Sequence, residues 1–238
     1  MSDSPTVVLV HGAFADASGF AAIIKSLEAD GLTVLAPPNP LRSLSIDSDT
    51  VKAFVSAIDG DVVLVGHSYG GAVIGQASAS LPNVKALVFL AAFALDAGET
   101  CLSVQEGYAP PTLATTARPS SYDAVGSPGG PELHVDYAGF KETFCADLPD
   151  DVAAVMAATQ RPIAAASLGE PATAAGWKTI PSWFLVSGSD HAINPDLERF
   201  FAQRMNAMTE TADGSHVAFI AQPDVATGLI RKAVAAVS

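Results

Sequence analysis

Short apolar runs rich in β-branched residues alternate with segments of helical periodicity along most of this 238-residue chain, and that alternation leaves few folds open. Val7-Val8-Leu9-Val10 is a continuous apolar run of the kind that a parallel strand buried on both faces requires. It ends at His11-Gly12. Residues 20–28 repeat apolar positions at helical spacing, Gly31 is placed to stop that helix, and residues 32–35 resume as strand, which makes one βαβ unit. Residues 46–58 read as a helix, 61–65 as a strand, 70–80 as a helix and 84–90 as another strand. The rhythm returns late, with a strand at 182–187, a helix at 195–205, a short strand at 208–211 and a largely helical end over 217–237. The pattern predicts an α/β fold, a mostly parallel sheet with helices on both faces, and the length suits a single domain of this kind.

Residues 95–179 break the rhythm and carry Pro110, Pro111, Pro119, Pro128, Pro131, Pro149, Pro162 and Pro171. They read as a largely helical cap inserted into a core made of residues 1–94 and 180–238. The clearest helix there spans about 150–160, where Asp150 or Asp151 can cap exposed N–H groups ahead of Val152, Val155 and Met156. A segment this long inside a compact domain points to a lid or binding element. Both cysteines, Cys101 and Cys145, lie in it. Two are too few for a disulfide framework or a zinc site, so they read as reduced thiols, with a single Cys101–Cys145 bridge as the alternative.

Acidic residues outnumber basic ones 25 to 12, for a formal charge of −13, which repels a phosphate backbone and argues against nucleic-acid partners. No apolar run approaches the roughly 18 residues that a membrane helix needs. The first residues lack a basic stretch or a small-residue cleavage site, so the expectation is a cytoplasmic protein, monomeric or homodimeric, with no membrane attachment.

Gly66-His67-Ser68-Tyr69-Gly70 fits G-x-S-x-G, a weak signal alone and a stronger one here because a strand enters it and a helix leaves it. Such a turn lifts a serine hydroxyl clear of the sheet. A serine needs a base, and of the five histidines His11 and His67 are built into turns, His134 falls in the irregular segment and His191 adjoins Asp190. His216 follows a short strand at the carboxyl edge of the sheet, where α/β sites are built. Asp190, just past the strand at 182–187, completes the chain order Ser68, Asp190, His216, with Asp196 and Asp213 as rival carboxylates. Oxyanion donors would be the backbone N–H groups of Tyr69 and of Ala13, with Gly12 permitting close approach.

Val8-Leu9-Val10-His11-Gly12-Ala13, the Gly66 to Gly71 turn, the stretch from Ser187 to His191 and Gly214-Ser215-His216 occur in order. Together they resemble the α/β-hydrolase superfamily, and within it the small cap-bearing branch of plant methyl-ester esterases and hydroxynitrile lyases. The resemblance covers nearly the whole chain, though only generically over 95–179. It implies Ser68, Asp190 and His216 as a catalytic triad and Ala13 and Tyr69 as the oxyanion hole. The lyases of that branch place a lysine just after the catalytic histidine and a threonine near the first turn, where this chain has Val217 and Gly12.

The expected function is that of a serine carboxylic-ester hydrolase acting on small uncharged esters, with no cofactor and no metal: phosphate-loop, dinucleotide and paired-cysteine motifs have no match. Tyr108, Tyr122, Tyr137, Phe140 and Phe144 are candidate linings for its pocket. The alternatives on the same residues are a hydroxynitrile lyase, a carbon–carbon bond hydrolase, a perhydrolase, or a receptor of hydrolase fold that retains the triad.

Overall fold

In the computed structural model, which describes residues 4–121 and 130–237, the apolar runs become parallel strands of one sheet. Along the first half β1 (Thr6–Val10), α1 (Ala21–Ala29), β2 (Val34–Leu35), α2 (Leu44–Ser56), β3 (Val62–His67), α3 (Tyr69–Ser78) and β4 (Val84–Leu90) follow one another. The second half supplies β8 (Ser182–Ser187), α8 (Pro195–Arg204), β9 (Met208–Ala212), α9 (Ala218–Ala221) and α10 (Pro223–Val237). Between them lie α4 (Leu113–Thr116), β5 (Ala117–Ser121), β6 (Pro131–Val135), α5 (Phe140–Phe144), α6 (Asp150–Thr159), β7 (Ile163–Ala164) and α7 (Ala165–Gly169).

The main sheet runs β2-β1-β3-β4-β8-β9, with every neighbouring pair parallel. All residues of β3 and β8 are buried, which accounts for their continuous apolar runs: helices cover both faces and leave no solvent side to call for polar alternation. From β1 the chain moves outward to β2 and then crosses back to β3 on the other side. That reversal makes the carboxyl ends of β1 and β3 the switch point at which open α/β sheets hold ligands.

Several boundaries differ from the sequence expectation for local reasons. Helix α2 starts two residues early, because the Ser43 side chain accepts the Ile46 N–H and caps it. The final helical stretch is two helices, α9 and α10, and α10 begins at Pro223, whose missing N–H is harmless in a first turn. Helix α6 has Pro149 at its cap position, so Asp150 and Asp151 act on the helix dipole from the first turn and leave the cap without a side-chain bond.

The segment 95–179 adds a three-stranded antiparallel sheet, β5-β6-β7, to its short helices. Its two ends meet: Trp177 Nε1–H donates to the Leu95 carbonyl at 2.8 Å, and the Arg204 guanidinium of α8 forks onto both oxygens of Glu99 at 2.7 and 2.6 Å. Cys101 and Cys145 are both buried free thiols. Burial first, and then the Asp147 charge, pushes the Cys145 thiol up to about 11. Among the described residues no helix is long and apolar enough to cross a membrane.

Candidate active site

Ser68 stands between β3 and α3 with φ 55° and ψ −125°, a left-handed conformation that a non-glycine residue adopts only when its surroundings over-determine it. Here the backbone supplies that determination. Ser68 N–H donates to the Leu90 carbonyl at 3.2 Å, and its own carbonyl accepts from Gly71 at 2.9 Å and Phe93 at 3.1 Å. The chain doubles back so tightly that a Cβ on Gly70 would collide with the Val10 carbonyl.

The turn after β1 lies directly against the serine. A Cβ on Gly12 would sit 2.6 Å from Ser68 Cβ and 3.1 Å from its Oγ, so only glycine permits this approach. His11 braces the turn: its Nδ1–H donates to the Gly12 carbonyl at 2.9 Å, and its Nε2 accepts the Asn39 N–H at 3.0 Å. That pattern is the neutral imidazole, and burial lowers the His11 pKa accordingly. Phe14, next to Ala13, also has a positive φ of 60°, held by its N–H bond to the Arg161 carbonyl at 3.1 Å. Tyr69 opens α3, where a first-turn N–H lacks a partner within its own helix. Its side chain is anchored below, the hydroxyl donating to Asp47 Oδ2 at 2.9 Å.

The histidine and the aspartate meet from different strands. His216 Nδ1–H donates to Asp190 Oδ2 at 2.5 Å, and both side chains are buried. Asp190 Oδ1 accepts the N–H groups of Ala192 at 2.6 Å and Ile193 at 2.9 Å, so the carboxylate is held by three donors. The loops carrying the two residues are joined where Ser189 N–H donates to the Gly214 carbonyl at 3.0 Å. The rival acids stand elsewhere: Asp196 pairs with Arg199 at 2.7 Å on the exposed face of α8, and Asp213 accepts from Ser189 Oγ at 3.4 Å.

Four contacts that the sequence does not suggest surround this pair. His67 Nε2–H donates to the His216 carbonyl at 3.0 Å, and the two rings lie 4.7 Å apart. Burial, and then the nearby His216, lowers the His67 pKa well below its ordinary value. Phe144 of α5 packs against the His216 ring with centroids 4.9 Å apart and planes at 69°. Asp147, three residues on, accepts the Ser215 N–H at 2.9 Å and also the Ser215 hydroxyl. Behind Asp190, Glu198 of α8 is fully buried and accepts the Ser187 N–H at 2.9 Å. No motif marks Asp147 or Phe144, which come from the segment without periodicity, and Glu198 reads as an ordinary helix residue.

A cavity of 510 Å³ adjoins the site, lined on the core side by His11, Phe14, Phe20 and Phe219 and on the α6 side by Val155 and Met156. Of the aromatics expected to line a pocket, Phe140 and Phe144 are buried in the core, Tyr137 is exposed, Tyr108 packs on the core edge, and Tyr122 lies outside the described residues. None of the four described lines this cavity. His191 is turned away, its Nδ1 bonded to the Glu142 carbonyl at 2.9 Å, and His134 sits in β6 opposite Arg118. Among the described residues no three histidine, cysteine or acidic side chains stand together as a metal ion requires.

The sequence model of the alpha/beta hydrolase family matches residues 7–227. A relative from Phoma sp. (strain ATCC 20986 / MF5453), named probable hydrolase R7, is 28% identical over 220 residues, covering 83% of this chain and 82% of its own. The carbendazim hydrolyzing esterase of Nocardioides sp. (strain SG-4G) is 32% identical over 119 residues, 44% of this chain and 49% of its own. Among solved structures, polyneuridine aldehyde esterase superimposes with a TM-score of 0.84 at 17% identity, covering 96% of this chain and 98% of its own, a likeness of fold.

Proposed function

The chain belongs to the alpha/beta hydrolase family, and on that footing we propose that it is a serine hydrolase that cleaves small, uncharged carboxylic esters through an acyl-enzyme on Ser68. The bond from His216 Nδ1–H to Asp190 at 2.5 Å carries this reading. It makes Nδ1 the nitrogen that keeps the proton in the neutral ring, so that Nε2 is the nitrogen offered to Ser68 as general base.

In this scheme Nε2 of His216 takes the Ser68 Oγ proton as Oγ bonds to the ester carbonyl carbon. The backbone N–H groups of Ala13 and Tyr69 receive the oxyanion, a contribution of about 2.7–4 kcal/mol per donor. The imidazolium then returns the proton to the departing alkoxide, and water repeats the sequence on the acyl-serine to release the acid. Asp190 stabilises the imidazolium throughout. The segment 95–179 acts as a cap over the core, and the 510 Å³ cavity receives an apolar group of the substrate. The esterase name carried by the Nocardioides relative supports ester cleavage. Buried Val217 offers no cation beside His216 for a departing cyanide, which favours hydrolysis over lyase chemistry.

The test is turnover of p-nitrophenyl acetate and of mandelonitrile by the native protein and by Ser68→Ala. Ester turnover should fall by several orders of magnitude in the variant with the fold intact, and an organophosphonate should label Ser68 alone. Undiminished turnover in Ser68→Ala, or cyanide release at a rate matching ester hydrolysis, overturns the reading.

A further inference from the structure

Glu198 is a buried acid beside Asp190 that the scheme above leaves unused. Its side chain is 0% exposed, Oε2 accepts the Ser187 N–H at 2.9 Å, and Oε1 is buried without a hydrogen-bond donor among the described residues. An anionic carboxylate oxygen so placed would have lost its water and gained nothing in return. The group that neighbours it is the Asp190 carboxyl, itself only an acceptor while ionised. Two facing carboxylates repel, whereas a single proton between them turns the repulsion into a hydrogen bond. The donors decide which acid keeps that proton. Asp190 is supplied by Ala192, Ile193 and His216, and Glu198 by Ser187 alone.

We propose that Glu198 is a neutral carboxylic acid whose Oε1–H donates to Asp190, making it a positioning residue that keeps Asp190 the anion facing His216. Burial and then the Asp190 charge hold the Glu198 carboxyl well above the usual carboxylate range, with the Ser187 N–H and the Arg199 charge opposing them. The role rests on the reading of Asp190 and His216 as members of the triad. A second full charge behind Asp190 would over-stabilise the imidazolium, while the acid's O–H fixes the carboxylate's orientation without adding charge.

Glu198→Gln and Glu198→Ala, compared with the native protein, test the proposal. A carboxamide accepts from Ser187 with its oxygen and donates to Asp190 with its nitrogen, as the acid does. Glu198→Gln should therefore keep kcat within about threefold and leave the acid limb of the kcat/KM profile in place, whereas Glu198→Ala should lower kcat by about tenfold or more with less change in KM. Infrared spectra at about pH 8, where Asp47, with its pKa of about 6, is ionised, should show a protonated-carboxyl stretch that Glu198→Gln removes. Loss in Glu198→Gln as deep as in Glu198→Ala, native turnover in Glu198→Ala, or absence of that band overturns the proposal. If Glu198→Ala does not fold, the glutamine variant and the spectrum still decide. Failure of the triad reading appears separately, as turnover in Ser68→Ala, and leaves the infrared band unchanged.

Discussion

His67, the residue before Ser68, holds the backbone carbonyl of His216 through its Nε2–H at 3.0 Å, so two turns 149 positions apart in sequence are tied by one buried bond. The proposed base is thereby referenced to the proposed nucleophile's own turn, and its placement does not rely on Asp190 alone.

Replacing His67 with phenylalanine keeps the ring volume and removes the donor. A buried carbonyl left unpaired costs about 1–3 kcal/mol, so His67→Phe should unfold at lower denaturant and lose about tenfold in kcat for a short p-nitrophenyl ester. Native kcat in this variant would show that the bond does not position the base.

Tyr69 and Asp47 couple stability to pH beneath the proposed oxyanion turn. Burial raises the Asp47 pKa from 3.8 to about 6, against the Arg42 N–H and the Tyr69 hydroxyl, which favour the anion. Between those values the folded protein binds more protons at Asp47 than the unfolded chain, so this group's contribution to stability falls as pH rises through the window. Tyr69→Phe removes a donor to the anion and should cost about 1–3 kcal/mol above pH 6, with the difference from the native protein shrinking toward pH 4. Denaturant unfolding at both ends of the window measures it, and a difference independent of pH would exclude the coupling.

Asp147 ties the segment 95–179 to the loop of the proposed base, since its carboxylate takes both donors of Ser215, next to His216. Asp147 is exposed on its outer side, so Asp147→Ala should fold. We expect kcat to drop about threefold to tenfold, Asp147→Asn to recover part of the loss, and Ser215→Ala to add little to Asp147→Ala because the two share one interaction. Additive losses in the double variant would argue for separate roles.

The cavity should set selectivity. Met156 on α6 faces the Phe14 and Phe20 side, and Met156→Trp should fill part of the 510 Å³. Esters with a bulky apolar group should then lose about tenfold or more in kcat/KM while acetate esters change little, since each excluded methylene is worth about 1–3 kcal/mol. Equal loss on both substrates would place the substrate's apolar group elsewhere.

The sequence by itself determined what depends on neighbours along the chain. The short apolar runs bounded by turn residues read as strands buried on both faces, and the strand–turn–helix around Ser68 as a tight reversal, because glycine at 66, 70 and 71 is what lets the backbone pass. That Ser68, Asp190 and His216 stand beyond the ends of β3, β8 and β9 was legible for the same reason, each following its own β-run. Tertiary structure alone decided what surrounds those residues. Phe144 reaches His216, and Asp147 the adjoining Ser215, from a segment with no periodicity, Glu198 looks along the chain like any helix residue, and the cavity is lined by residues between 14 and 22 and by α6 in place of the expected aromatics. Periodicity records which face of an element is buried, but it carries no record of which distant element that face will meet.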